Sequence, residues 1–287
     1  QGQYLESANL EAKNHVKAFY NLDNIKNIAI IGESHTRNLN YLSNLQNLQQ
    51  IFNFEDKNTY ICSLDQDRPD QFELDHFDDR KILLHKITRK NNELFVDQNT
   101  KIDLVILNND LTNYLPEIFD NLETIVTPNP QIGWHKRSKF NHFQIYNDLC
   151  EEVAKLIDID PWLISSYQDF LPQVNFKDRL GFDELFESVK NVMLRIQNKY
   201  TQYNIKQAPF CYMKADSGTY GMAVTPIFNA DDVHGFNKKI RNKMNVLKDG
   251  KQNSSVIIQE GIATIDSVNQ LTSEPLIYML NGQIVAN

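Results

Sequence analysis

The sequence predicts an α/β protein, α+β in its second half, and three observations carry that reading. Two short unbroken apolar runs closed by polar residues, Asn27-Ile-Ala-Ile-Ile-Gly32 and Asp103-Leu-Val-Ile-Leu107, read as buried strands of a parallel sheet. A leucine-rich helical stretch over 39–52 follows the first run, giving a strand–loop–helix unit whose loop lies where open α/β sheets bind ligands. Later in the chain the strands come in pairs around tight turns, as at Asn281-Gly282.

Residues 3–22 read as a helix leading into the first strand. Tyr60-Ile-Cys-Ser63 is a second strand, and the Asp-rich stretch 65–80 reads as loop. Lys81–Ile87 and Glu93–Val96 form a hairpin around Asn91-Asn92. The strand at 103–107 ends in Asn108-Asn-Asp110, a helix follows at 116–122, and Ile125–Val126 is a short strand. Pro128 and Pro130 then punctuate the chain and mark a domain boundary. The expected division is 1–130, a helix-rich 131–205, and a strand-rich 206–287. Helices are expected at 143–157, 183–203 and 230–247, with Pro161 and the 171–181 stretch breaking the pattern. Strands are expected at 210–213, 222–226, 255–260, 275–280 and 283–286.

Composition narrows the function classes. With 287 residues, 41% hydrophobic and 23% charged, the chain has the makeup of a soluble globular protein with an ample core. Its net charge of −8, with Lys and Arg scattered, argues against a general nucleic-acid binder. Cys62, Cys150 and Cys211 are odd in number and far apart, which argues against a disulfide framework or a cysteine zinc site and fits a reducing cytoplasm. No membrane span or signal peptide is visible. The start at Gln1 and the stop just after a strand-like run suggest that both ends are cut.

Four segments could carry chemistry. The first is Lys214-Ala-Asp-Ser-Gly-Thr-Tyr-Gly-Met222 between two strands. Its glycines let backbone N–H groups turn toward a phosphate, its hydroxyls add donors, and Lys214 supplies charge. It is neither a Walker loop nor a dinucleotide fingerprint, because the element after it is a strand. The alternative is an ordinary hairpin with turn glycines. The second is Val256-Ile-Ile-Gln-Glu-Gly261, which places a backbone edge and a carboxylate for a nucleoside, or is simply a strand with a polar end. The third is Ser34-His-Thr-Arg-Asn38 with the Asn108–Asp110 turn. Arg37 can take a carboxylate in a bidentate grip at a helix start, or the segment merely caps the helix. The fourth is the basic aromatic stretch Trp134–His142, an anion-binding edge or a solvated turn. The Arg241, Lys243 and Lys248 cluster reads as a solvated face. Histidine pairs at metal spacing and G-x-S-x-G are absent, so hydrolase chemistry has little support.

From about Ile28 to Ile284 the chain resembles the proteobacterial glutamate–cysteine ligases of the iron-oxidising-bacterium type, whose fold is similar to the ATP-grasp enzymes. The resemblance rests on Ser34-His-Thr-Arg-Asn-Leu39, Leu107-Asn-Asn-Asp-Leu111, Lys139-Phe-Asn-His-Phe143, Ala154–Ile164, Lys214–Met222, Arg241-Asn-Lys-Met244, Ile257–Gly261 and Glu274–Met279, in that order. It implies a Rossmann-like domain ahead of an ATP-grasp-like one. It also implies a reaction in which ATP and Mg2+ activate the γ-carboxylate of glutamate as an acyl phosphate and the cysteine amine captures it. This is the first step of glutathione biosynthesis, and its partners are small molecules only.

By the resemblance Lys214, Ser217, Gly218, Thr219, Tyr220 and Gly221 cover the nucleotide phosphates, with Lys139 as a second lysine. Gln259, Glu260 and Gly261 form the adenine-side hinge. Ser34, His35, Thr36, Arg37, Asn38, Asn109, Asp110, Asn141 and His142 serve the amino-acid substrate. Lys214 and Arg37 are the catalytic candidates. The family usually has Gly where Ala223 stands, a change expected to stiffen the loop. The family continues past Val285 into a double glycine, an aromatic and an arginine, so the metal ligands are expected beyond residue 287. An ATP-grasp ligase of another amino acid or peptide, and an inactive nucleotide-binding relative, are the alternatives.

Overall fold

The computed structural model describes residues 12–18, 21–33, 38–77, 81–217, 221–246, 252–280 and 283–286. They form two compact units, one of 1–135 with 266–287 and the other of 136–265.

The first unit holds helix α1 (12–18), β1 (Asn27–Ile31), α2 (Leu39–Phe52), β2 (Asn58–Ser63), β3 (Gln71–Asp75), β4 (Lys81–Lys90), β5 (Glu93–Val96), β6 (Thr100–Lys101), β7 (Leu104–Leu107) and β8 (Ile125–Thr127). The strands make one sheet in the order β6-β5-β4-β2-β1-β7-β8, with β3 beside β4. β4, β2, β1, β7 and β8 are parallel to one another along that path, and β5 joins β4 antiparallel. β1 is central because Ile28 to Ile31 are fully buried, as a strand covered on both faces requires. The order reverses between β1 and β7, so the crevice at their carboxyl ends is the switch point of the sheet. α2 begins at Asn38, whose side chain accepts from the Asn40 and Tyr41 N–H groups.

The second unit holds α3 (Lys139–Ile157), β9 (Gln168–Leu171), α4 (Phe182–Gln202), β10 (Cys211–Ala215), β11 (Val224–Ile227), α5 (Lys238–Asn245) and β12 (Val256–Glu260). Its antiparallel sheet runs β11-β10-β12-β9. α4 lays Leu185, Val189, Val192 and Ile196 on the sheet face formed by Cys211, Met213, Ala215, Val256 and Ile258. The chain ends in two hairpins, β13 (Ser267–Val268) with β14 (Leu271–Thr272) and β15 (Tyr278–Leu280) with β16 (Gln283–Ala286). Among the described residues no helix is long and apolar enough to cross a membrane.

Four expectations change. The division expected near 205 falls inside the second unit, because α4 and the β10–β12 sheet share one core. Residues 65–80 contain β3, an edge strand whose Phe72 and Leu74 alternate with exposed acids. The helix expected at 116–122 is only a 3-10 turn at Glu117–Phe119. The helix expected at 230–247 is a 3-10 turn at Ala230–Val233 followed by α5, which restarts at Asn237, whose side chain caps the Ile240 N–H. Of the helix expected at 3–22, residues 12–18 are helical and 21–22 are not, and the rest lies outside the described residues. The Asn281-Gly282 turn and Lys248 lie outside the described residues.

Candidate active site

Each unit brings one group of the predicted residues together. In the first unit the group sits at the switch point. Asn109 Nδ2 donates to the Gly32 carbonyl (2.8 Å), and the Asp110 N–H donates to Glu33 Oε1 (2.7 Å). Tyr41, one turn into α2, ties the rest. Its hydroxyl accepts from the Glu33 N–H (2.8 Å) and points its proton at the Asn108 carbonyl (2.8 Å) and Oδ1 (3.0 Å). Leu111 takes a φ of +48°, turning the chain so that the Asp110 and Leu111 carbonyls accept from the Trp134 and His135 N–H groups. Asn38, Asn109 and Asp110 are thus at one crevice. Ser34, His35, Thr36 and Arg37 lie outside the described residues.

In the second unit Lys139 and Lys214 converge. Strand alternation puts Tyr212 and Lys214 on the sheet face opposite α4, together with Ile257 and Gln259 of β12. Lys214 Nζ donates to Gln259 Oε1 (2.7 Å), and Gln259 Nε2 donates to Ser166 Oγ (3.1 Å). Lys139, at the start of α3, reaches the carbonyls of Ala215 (2.6 Å) and Asp216 (3.2 Å). Asp216 joins the two elements. Its Oδ1 accepts from the Phe140 N–H (2.8 Å) and Ser138 Oγ (3.1 Å), and its carbonyl accepts from the Lys139 N–H (3.1 Å). The first turn of α3 is therefore locked to the mouth of the glycine loop. Phe140 stacks on Phe170 of β9 (4.7 Å between centroids), fixing the approach.

Burial disfavours charge on both lysines. The Lys139 ammonium is pushed down to about 8 by burial first, then by Arg137 and Lys214, with Asp216 pulling the other way. Burial also lowers Lys214. Two half-buried ammonium groups beside a glycine loop suit an anion that would neutralise them.

The loop closes with an Ala215 N–H to Ala223 carbonyl bond (2.9 Å). Gly221 has φ +67° and open space where a Cβ would go, so its glycine answers to backbone conformation and not to crowding. Ser217 is described, whereas Gly218, Thr219 and Tyr220 lie outside the described residues. Asn141 and His142 are exposed on the first turns of α3.

Glu260 is placed differently from its expected role. Next to Gln259 in the strand, it turns to the other face, where its carboxylate accepts from Trp162 Nε1 (3.0 and 3.1 Å) and the Tyr167 N–H (2.9 Å). Burial raises its pKa, and these donors partly offset the rise. A cavity of about 330 Å³ lies beside it, lined by Trp162, Tyr200, Ile205, Ile262 and Ala263 among others. The N–H groups of Glu260 and Gly261 are bonded to the carbonyls of Tyr167 and Phe210. Gly261 is packed so closely on the Phe210 ring that a Cβ would lie 2.2 Å from it.

Tyr41, Glu33 and Asp216 were not singled out from the sequence. Asp216 carried a signal, since an Asp beside a loop is a common cap, but the helix it caps lies some 75 residues earlier in the chain. Among the described residues no three His, Cys, Asp or Glu come together in a way that could hold a metal ion.

The class these features define is an α/β protein with a pair of half-buried lysines beside a glycine loop in one unit and a polar switch-point crevice in the other. The chain belongs to the glutamate–cysteine ligase family, whose sequence pattern matches residues 2–287. Among solved structures it is similar to a candidate gamma-glutamylcysteine synthetase from Methylobacillus flagellatus KT, at 37% identity and a TM-score of 0.82. That match covers 99% of this chain and 66% of the other, so the chain spans just under two thirds of that structure's length. Weaker likenesses are to D-alanyl-alanine synthetase A of Vibrio cholerae O1 biovar eltor (10% identity, TM-score 0.48, 91% of this chain and 65% of that one) and to the VanG D-Ala:D-Ser ligase of Enterococcus faecalis (14%, 0.38, 84% and 64%). No protein of curated function matches the chain.

Proposed function

We propose that the protein to which this chain belongs is an ATP-dependent ligase that joins the γ-carboxylate of glutamate to the amine of cysteine. The observation that carries the reading is the pair Lys139 and Lys214 at the mouth of the 216–222 loop, in a chain of the glutamate–cysteine ligase family. ATP supplies the activation of the carboxylate. The chain's own residues hold and orient it. Lys139 and Lys214 place positive charge against the phosphate oxygens, Gln259 keeps Lys214 in position, and Asp216 keeps α3 and the loop together. Ser217 to Gly221 add backbone and hydroxyl donors. Gln259, on the lysine face, and Gly261, at the strand's end, flank the base. Because the Glu260 and Gly261 N–H groups are already bonded, a purine edge is read by the backbone just beyond, at Ile262 and Ala263.

In the first unit Asn38, Asn109 and Asp110, with Ser34 to Arg37, take the amino-acid substrate, Asp110 facing its ammonium and Arg37 its carboxylate. Asn141 and His142, on α3 of the second unit, are assigned to the amino-acid substrate by the family resemblance alone. Magnesium is expected as in other phosphoryl-transfer enzymes, but the described residues lend it no ligand set, so no step is assigned to it. We assign the enzyme to the cytoplasm, a reducing compartment that keeps a cysteine substrate as the free thiol. The test is ADP release by the full-length protein over a panel of amino acids. Release that needs glutamate and cysteine together supports the reading, and release indifferent to cysteine overturns it.

A further inference from the structure

α3 exposes an apolar stripe that its own unit does not cover. Of its 19 residues only Cys150 and Ala154 are buried. Ile145, Tyr146, Leu149, Val153, Leu156 and Ile157 are all exposed, Leu156 to 85%. At 3.6 residues per turn these six fall within about 120° of the helix circumference. Single exposed apolar residues are ordinary, but a contiguous stripe of six along three turns is an interaction surface.

The spacing of the stripe says what it fits. Its positions mirror one another about residue 151: 145 against 157, 146 against 156, 149 against 153. A second copy of α3 laid antiparallel across a two-fold axis at that point meets the same pattern reversed. Ile145 then lies by Leu156 of the other copy, Tyr146 by Ile157, and Leu149 by Val153. Along one edge of the stripe run Asp148 and Lys155, seven residues apart and so on the same helix face. An antiparallel two-fold sets that edge against itself, which brings Asp148 of each copy to Lys155 of the other. We propose that α3 is a self-association surface through which two copies of this protein pair antiparallel, as an isologous contact requires. Glu152, close to the axis on the charged edge, meets its own copy and weakens the contact. One helix pair buries less than the ~1,200 Å² of a stable interface, so the association is weak and transient.

Sedimentation equilibrium of the full-length protein tests this. The expected result is a concentration-dependent monomer–dimer equilibrium that Leu156→Ser weakens tenfold or more. Leu156 is too exposed for its loss to unfold the chain, and thermal melting checks that. Asp148→Lys and Lys155→Asp should each weaken the dimer severalfold, and the double exchange should restore it. Glu152→Gln should tighten it. A monomer at every concentration, or with α3 protected from hydroxyl-radical footprinting by the rest of the same protein, overturns the proposal. So does a dimer indifferent to Leu156→Ser and the charge exchange.

Discussion

At the carboxyl ends of β1 and β7 the polar groups meet complementary ones: Asn109 on a carbonyl, Glu33 on an N–H, Tyr41 between the two loops. At the end of β10 two ammonium groups share one neighbourhood, where Lys139 donates to two backbone carbonyls and Lys214 to an amide oxygen. The first crevice is held in shape by its own hydrogen bonds. The second keeps charge in a place where burial disfavours it. Polar groups of the first kind add stability to the unliganded fold. Lysines of the second kind cost stability until an anion arrives. Substitutions in the two places should therefore move stability and function in different combinations.

The largest effect is expected from Lys214→Ala. Removing a charge-assisted contact to phosphate should cost about 1.5–3 kcal/mol, roughly ten- to a hundredfold in kcat/KM for ATP. Melting temperature should stay level or rise, since a half-buried ammonium goes with it. Steady-state kinetics at varied ATP checks the first part and thermal melting the second. An unchanged kcat/KM for ATP sinks the assignment. Tyr41→Phe is the counterpart in the other unit. Losing the hydroxyl leaves the Glu33 N–H and Asn108 oxygens short of a partner and should cost about 1–2 kcal/mol of stability. KM for the amino acid should rise while KM for ATP holds.

Lys139 offers a test by pH. Its ammonium titrates near 8, whereas in the unfolded chain it would hold its proton to the ordinary lysine value of 10.5. Between those values the unfolded chain binds more protons, so Lys139 makes the unliganded fold more stable as pH rises from about 8 to 10.5. ATP binding should run the other way. It needs the charged form, so kcat/KM for ATP should fall roughly tenfold from pH 7 to pH 9. Lys139→Met should abolish that slope, lower kcat/KM at pH 7 and raise the melting temperature. A slope that survives in Lys139→Met would assign the titration to another group.

These two places were not equally legible in the sequence. β1, α2 and β7 were readable because each is an unbroken local pattern, and α2 spans the expected 39–52. The crevice followed from them, since any loop after a parallel strand lies at the carboxyl edge. Lys214 and the glycine loop were visible too, as letters between two strands. The partnership of Lys139 with Lys214 was not. It depends on Asp216 capping a helix that starts far earlier in the chain, and nothing local announces a contact of that span. β9 was missed for a related reason. Four residues with mixed polarity make a strand only because β12 supplies the hydrogen bonds. The orientation of Glu260 turned on strand phase, where a shift of one residue exchanges the core face for the ligand face.

The smallest expected effect concerns Ala223, and it separates two contributions of similar size. The residue is buried and holds a left-handed φ of +49° directly after Met222, at a position where the family resemblance leads one to expect Gly. An L-residue in that conformation costs about 1–2 kcal/mol. Its methyl group, fully buried, returns about 0.8 kcal/mol. Glycine also loses more chain entropy on folding, about 0.5–1 kcal/mol. Ala223→Gly should therefore leave stability within about 0.5 kcal/mol, a shift of a degree or two in melting temperature for a unit of this size. What should change is the loop, because its closing bond runs from the Ala215 N–H to the Ala223 carbonyl and the flanking backbone would gain freedom. Amide exchange at 215–223 should quicken while the rest of the β10–β12 sheet holds its rates. Ala223→Val, a β-branched side chain at the same φ, should cost several times more. If Val were tolerated as well as Gly, the left-handed conformation would not be a constraint on this loop.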